Sequence, residues 1–400
     1  MARLSGSVMN TQQVSTNYAV FIRGACIGIF GIILCAGLWP FHVPRNEATW
    51  LTGENGLLFG QHGSIVSSSG FPANDLDEDA SCTLEIWLEP RVTNDIKTIL
   101  SFEGSRGLKN PFSLRQSKDA LEITRYNVDG EGTSRTAFFR VHGVFSKGRQ
   151  VLATVTLDRK QTSVYVDGIL ARVSAITGVS NNNFSGRLVL ANSTAVDDSW
   201  AGQVMGLAIY QKELTPSRVR EHYESWMKDR RPSLTKGDSP VALYLFDERT
   251  GLTAHNHMDS TTDLNIPAHY FVLHPYVMRV PWREYKPTWS YWQDVAVNIV
   301  GFIPLGFCVV AYFASVRVIN RPVITTMAIG FFTSLMIETL QIFLPTRSSG
   351  MTDIITNTLG TAVGMMLYLS PLLQHRLRKT ANRSVSSPRE SLVGEVGSTR

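Results

Sequence analysis

Residues 82–90 read Cys-Thr-Leu-Glu-Ile-Trp-Leu-Glu-Pro, a strict alternation of apolar and polar side chains. Successive side chains of a strand point to opposite faces, so the sequence predicts one buried face and one wet or half-wet face. The neighbouring sequence repeats the theme. Residues 151–157 form a second strand-like run and end in the polar turn Asp158-Arg159-Lys160-Gln161. Residues 164–166 lead into Asp167-Gly168, a two-residue hairpin signal, and 169–173 return from it. Residues 187–190 and 206–210 add two more short strands. Many short strands at this spacing predict an antiparallel β-sandwich. Just after them, Thr215 is placed to cap a short helix, with Pro216 at its first position.

The rest of the chain is of another kind. Four hundred residues exceed what one hydrophobic core usually organises, so a multidomain protein is expected. The composition, 44% apolar and 18% charged, fits a polar segment spliced to strongly apolar ones, and 10% aromatics exclude disorder throughout. The net charge of +5 points away from nucleic acid once its sources are located. Much of the excess lies in a C-terminal tail (Arg376, Arg378, Lys379, Arg383, Arg389) beside an apolar run, where basic residues set membrane topology. The cysteines, Cys26, Cys35, Cys82 and Cys308, show no metal or disulfide spacing.

Residues 21–41 read as an uncleaved transmembrane anchor, because the run ends in bulky Leu38-Trp39-Pro40-Phe41 rather than in a small-residue cleavage site. Apolar runs at 295–316, 323–344 and 354–373 complete an expected four-span α-helical bundle. With Arg317, Arg321 and the basic tail inside, the N-terminus is cytoplasmic and the long middle segment is extracytoplasmic. The expected order is a cytoplasmic tail (1–20), the anchor (21–41), the β-sandwich (56–266), a linker (267–293), a three-span membrane domain (294–373) and a basic cytoplasmic tail (374–400).

The spans carry polar residues at helical spacing. Asp294 and Asn298, Glu338 and Gln341, and Asp353 and Asn357 each share a helix face. If Asp294 and Asp353 begin their helices at the outer boundary, the two asparagines lie about 6 Å deeper and Glu338 about 10 Å in from Pro345. Asp294, Asn298, Glu338, Gln341, Arg347, Asp353 and Asn357 therefore form a candidate ligand-binding layer. A carboxylate at membrane depth costs a few kcal/mol and is rarely left unpaired, which makes Arg347 the natural partner of Glu338 or Asp353. Gly360 and Gly364 let their helix approach a neighbour, and Gly301, Pro304 and Gly306 loosen the second span. In the sandwich, Glu85 and Glu89 share a strand face that reads as the solvated side of an outer strand rather than as a glycosidase pair. Calcium in the sandwich stays an open alternative at the acidic run Asp75, Asp77, Glu78, Asp79, but the run lacks the Gly and the spaced ligands of a calcium loop and reads better as solvated, so no cofactor is predicted.

Two resemblances add to this reading. "CTLEIWLEP" (82–90), "VTLDRKQTSVYVDGILARV" (155–173) and "WAGQVMGLAIYQKELTPSRVREHY" (200–223) together resemble the concanavalin A-like jelly roll of laminin-G-type modules over about residues 56–226, and "VALYLFDERTG" (241–251) resembles an opening strand of such modules. "DVAVNIVGFIPLGF" (294–307) and "IETLQIFLPTRSSGMTDIITNTLGTAVG" (337–364) resemble the VanZ-like membrane family, with the jelly roll lodged where that family usually has a short loop. The VanZ resemblance implies cell-envelope biology of the glycopeptide-resistance kind and supplies no established reaction. The expectation is a multi-pass protein of the bacterial cytoplasmic (inner) membrane, more a binding protein than an enzyme. Its partners would be the lipid bilayer and a glycan, a peptidoglycan fragment or a lipid-linked headgroup, with homo-oligomerisation open. The alternative is an intramembrane enzyme that acts on a lipid-linked envelope substrate with Glu338 as general base.

Overall fold

The computed structural model describes residues 2–72, 81–103, 112–128, 134–158, 161–175, 184–316, 319–376 and 379; the acidic run 75–79 and Arg317 lie outside them. The chain divides into a β-rich unit, His42–Tyr276 with Leu344–Ser348, and a helical unit, Met1–Phe41 with Val277–Phe343 and Ser349–Arg400. The helices are α1 (Ala2–Leu38), α2 (Pro216–Asp229), α3 (Pro281–Glu284), α4 (Trp289–Val316), α5 (Pro322–Gln341) and α6 (Met351–Leu369). The first strands are β1 (Ala48–Trp50), β2 (Leu57–Phe59), β3 (Ile65–Ser67), β4 (Cys82–Pro90), β5 (Ile96–Phe102), β6 (Phe112–Ser117), β7 (Ala120–Val128) and β8 (Ser134–Val141). They are followed by β9 (Val151–Leu157), β10 (Thr162–Val166), β11 (Ile169–Ser174), β12 (Leu188–Leu190), β13 (Gly202–Tyr210), β14 (Pro240–Tyr244), β15 (Thr253–Ala254) and β16 (Leu264–Asn265).

The β-rich unit is a jelly-roll-like sandwich of two antiparallel sheets. One has the order β1-β2-β13-β4-β9-β10-β11 with β14 also on β13; the other runs β15-β16-β3-β12-β5-β6-β7-β8. The alternation of β4 is used as read: Leu84, Ile86 and Leu88 join the core between the sheets with Phe102, Leu114 and Ile123. The Asp167-Gly168 turn takes positive φ at both residues (51° and 76°), which suits a tight hairpin. Thr215 caps α2 by accepting from the Arg218 N–H, with Pro216 in the first turn. Strand β14 pairs with β13 (Leu207 with Tyr244, Ala208 with Leu243), and β16 pairs with β3, so both sheets use chain well beyond α2.

The second face of β4 is not wet. Helix α2 lies over it and forms a second core of Trp87, Leu152, Met205, Tyr210, Val219 and Trp226. Glu85, read from the sequence as solvated, is fully buried there. Its Oε2 accepts from the Tyr210 hydroxyl (2.8 Å) and the Trp226 indole N–H (3.1 Å), and its Oε1 faces His222 Nδ1 (3.1 Å). Arg218 Nη2 can only donate and sits 3.0 Å from His222 Nε2, so Nε2 accepts and the ring hydrogen is on Nδ1, toward Glu85. Burial, and then the neighbouring Glu85 carboxylate, push the Tyr210 phenol well above its ordinary range, which keeps it a donor. Asp238 closes the network on Arg218 (2.7 Å). Burial alone would raise its carboxyl, but Arg218 and two hydrogen bonds from Thr235 bring it down to about 2. Its contribution to stability is therefore complete above about pH 4 and is lost as pH falls through about 2. Glu89, by contrast, is half-buried.

Three helices are long and apolar enough to cross a membrane among the described residues: Ala19–Leu38 within α1, α4 and α5. The expected fourth, α6, has 19 residues but carries four threonines, Asp353 and Asn357, which lower its apolarity. Its length of about 28 Å is still close to the ~30 Å of a hydrocarbon core. Helix α4 starts earlier than its apolar run, at Trp289, and continues unbroken through Gly301, Pro304 and Gly306. Residues 269–274, read as linker, are docked within the β-rich unit: the Tyr270 N–H donates to the Pro44 carbonyl (3.0 Å), and its buried hydroxyl donates to Asp197 (2.6 Å).

Replacing Glu85 tests the second core. Glu85→Ala strands the hydrogens of Tyr210, Trp226 and His222 and is expected to destabilise the sandwich by about 3 kcal/mol or more in chemical denaturation, whereas Glu89→Ala should stay within about 0.5 kcal/mol.

Candidate functional site

A helix has no internal partners for its first N–H groups, and a bilayer supplies none. At the start of α6 three consecutive N–H groups are taken up by three separate segments. Gly350 donates to Glu338 Oε2 of α5 (2.7 Å), Met351 to the Arg279 carbonyl (2.9 Å) and Thr352 to Glu284 Oε2 of α3 (3.0 Å). The Thr352 hydroxyl also donates to Glu284. Two carboxylates thus face the positive end of the α6 dipole, which favours anions. Gly350 permits this arrangement, because a Cβ there would run into the Glu284 carboxylate.

A second tier continues along α6. Asp353 Oδ1 accepts from Asn298 Nδ2 of α4 (2.8 Å), and Asn357 Nδ2 donates to Ser334 Oγ of α5 (2.9 Å). Asn357 is 5% exposed, and its Oδ1 has no hydrogen-bond partner among the described residues. Glycines make the approach of α6 possible. A Cβ on Gly360 or Gly364 would overlap the Ile299 or Ile303 carbonyl of α4, and one on Gly306 would overlap Thr361 of α6. Gly306 therefore packs rather than loosens. The other three α6 threonines bond to their own helix, Thr356 to Thr352 O (3.0 Å), Thr358 to Ile354 O (2.7 Å) and Thr361 to Asn357 O (3.1 Å).

The structure gathers most, but not all, of the layer read from the sequence. Glu338, Asn298, Asp353 and Asn357 converge around the first turns of α6. Gln341 turns instead to α1, where its Nε2 donates to the terminal Gly37 carbonyl (2.8 Å). Asp294 is exposed and lies five residues into α4, not at its start. Arg347 closes a turn onto Leu344 O (2.9 Å), in the segment that groups with the β-rich unit. Glu284, Arg279 and Ser334 were not singled out by the sequence. Pro281 at the start of a one-turn helix is the local signal that Glu284 is held in place.

A model of the VanZ/LLP1 family matches residues 241–374, and one of the concanavalin A-like lectin/glucanases superfamily matches residues 62–220. The chain joins a concanavalin A-like β-sandwich to a VanZ-like region, and its apolar helices make it a membrane-associated protein. No curated protein matches it. Solved structures similar to it include the binding domain of Paraclostridial Mosquitocidal Protein 1 (13% identity, 46% of this chain and 47% of that one, TM-score 0.36). Others are a heptameric SAP-like pentraxin from Limulus polyphemus (13%, 56% and 94%, TM-score 0.35) and a putative carbohydrate binding protein from Bacteroides ovatus (15%, 57% and 61%, TM-score 0.36). The chain spans about half of the mosquitocidal protein's structure, and likenesses this low say nothing about a ligand.

Gly364→Val should split α6 from α4 and lower the yield of folded, extracted protein several-fold. Gly301→Ala, where a Cβ meets nothing within 4 Å, should leave yield unchanged when both are measured by size-exclusion chromatography.

Proposed function

We propose that this is a bacterial envelope protein of the cytoplasmic membrane with four spans. In this reading its β-sandwich is extracytoplasmic and binds a glycan or another envelope component. The layer at the start of α6 engages the hydroxyl- or amine-bearing part of a lipid-linked headgroup. The observation that carries the proposal is the acceptor excess of that layer. Glu284, Glu338 and Asp353 present carboxylates, and the buried Asn357 Oδ1 lacks a donor among the described residues. Acceptors in apolar surroundings call for a ligand rich in donors. The match to a superfamily named for lectins and glucanases supports the glycan half of the reading. The back-bonded Thr356, Thr358 and Thr361 of α6 support a fourth span, because these three hydroxyls need no water.

Glu338→Gln keeps an amide oxygen for the Gly350 N–H but removes the charge. It is expected to leave abundance near wild type while abolishing any protection against a glycopeptide antibiotic, measured in cells that depend on this chain for it. Loss of protection that only tracks loss of protein would reduce the layer to helix glue. Topology is tested separately. A reporter active only outside the cytoplasm should work when fused near Gly237 and stay silent near Asn320 and after Arg383; activity at all three sites would contradict four spans.

A further inference from the structure

The sandwich contains a cavity of about 270 Å³ at one end, where loops from the two sheets meet. Its floor is fixed. The buried Trp200 donates its indole N–H to Gln116 Oε1 (2.6 Å), and Gln116 Nε2 donates in turn to the carbonyls of Val92 (2.7 Å) and Lys118 (3.0 Å). Trp200 lies against Gly202, where a Cβ would displace the ring. Asp197 at the wall is held by the Tyr270 hydroxyl. Lys97 stands directly opposite Gln116 across β5 and β6, so the two side chains share a face. The side chains of Gln61, Asp95 and Lys97 make no hydrogen bond among the described residues, although all three line the cavity.

A fixed floor rimmed by the solvent-facing Gln61 amide and Asp95 carboxylate, and by the Lys97 ammonium whose charge also reaches Asp198, makes a polar site open to a ligand. The chemistry of the lining narrows the ligand. Lys97 offsets one of the two lining carboxylates, Asp95 and Asp197, and the Tyr270 hydroxyl engages Asp197, so the lining selects strongly for neither an anion nor a cation, and its polar groups give an apolar ligand little to bury against. A hydroxyl group satisfies all three side chains, because it donates to a carboxylate and accepts from an ammonium or an amide. The volume lies just under the roughly 300–1,000 Å³ of drug-sized pockets, which suits about one saccharide unit. We infer that this cavity is a binding site for a neutral saccharide residue, with Asp95, Lys97 and Gln61 as its hydroxyl-reading groups. The inference rests on the glycan-binding reading of the sandwich and gives that reading an address.

The test uses the full chain in nanodiscs free of sugar detergents. Saturation-transfer NMR and titration are run with glucose, galactose, N-acetylglucosamine and the β-1,4-linked dimer of the last. At least one sugar should bind wild type, and Asp95→Ala and Lys97→Ala should each weaken it about ten-fold or more. Lys147→Ala, on an exposed loop outside the lining, should leave it unchanged, and unaltered far-ultraviolet circular dichroism should show that the variants fold. Binding that survives both cavity variants would overturn this site and leave the glycan reading standing. If wild type binds none of the four sugars, both fall.

Discussion

The helical unit depends on how the first turn of α6 is satisfied. Three N–H groups in succession have partners that come from α5, from the stretch before α3 and from α3 itself. Each partner fixes its own segment against α6, and the charges of Glu338 and Glu284 favour the helix end they face. Once that turn is set, the α4–α6 interface follows. Gly306, Gly360 and Gly364 bring the backbones together, and the Asn298–Asp353 pair closes the polar tier. A membrane helix gains little from apolar contact alone, so small residues and satisfied polar groups decide which helices pair.

The β-sandwich solves a parallel problem with other means. Glu85 sits on a face that a two-layer sandwich would leave to water, and α2 covers it. The charge is tolerated because Tyr210, Trp226 and His222 all direct polar atoms at it. In both units a carboxylate ties together segments distant in sequence: the buried Glu85 reaches Trp226 of α2, 141 residues later, and the half-buried Glu284 reaches the start of α6 across α4 and α5.

Local features of this fold were legible in the sequence, and long-range ones were not. The Leu84-Ile86-Leu88 alternation, the Asp167-Gly168 turn and the Thr215-Pro216 helix start depend on neighbours within a few residues. Helical spacing also identified Glu338, Asp353, Asn298 and Asn357. What spacing cannot reveal is which helix a face meets. Gln341 shares a face with Glu338 yet turns to α1, and Glu284 acts from a one-turn helix with no periodicity to announce it. Glu85 was misread for the same reason, since its cover comes from a distant element. The apolar run read at 354–373 starts after Thr352 and Asp353, and the helix that forms, Met351–Leu369, takes in both and so is less apolar than the run.

Amide hydrogen exchange at Gly350, Met351 and Thr352, with the full chain in nanodiscs, tests the central claim most directly. The account expects all three to exchange as slowly as amides in the middle of α6. It also expects Glu284→Ala to accelerate Thr352 selectively, leaving the middle of the helix slow. Fast exchange of these three amides in the unaltered chain would contradict it, because the carboxylates would then not be holding the start of the helix.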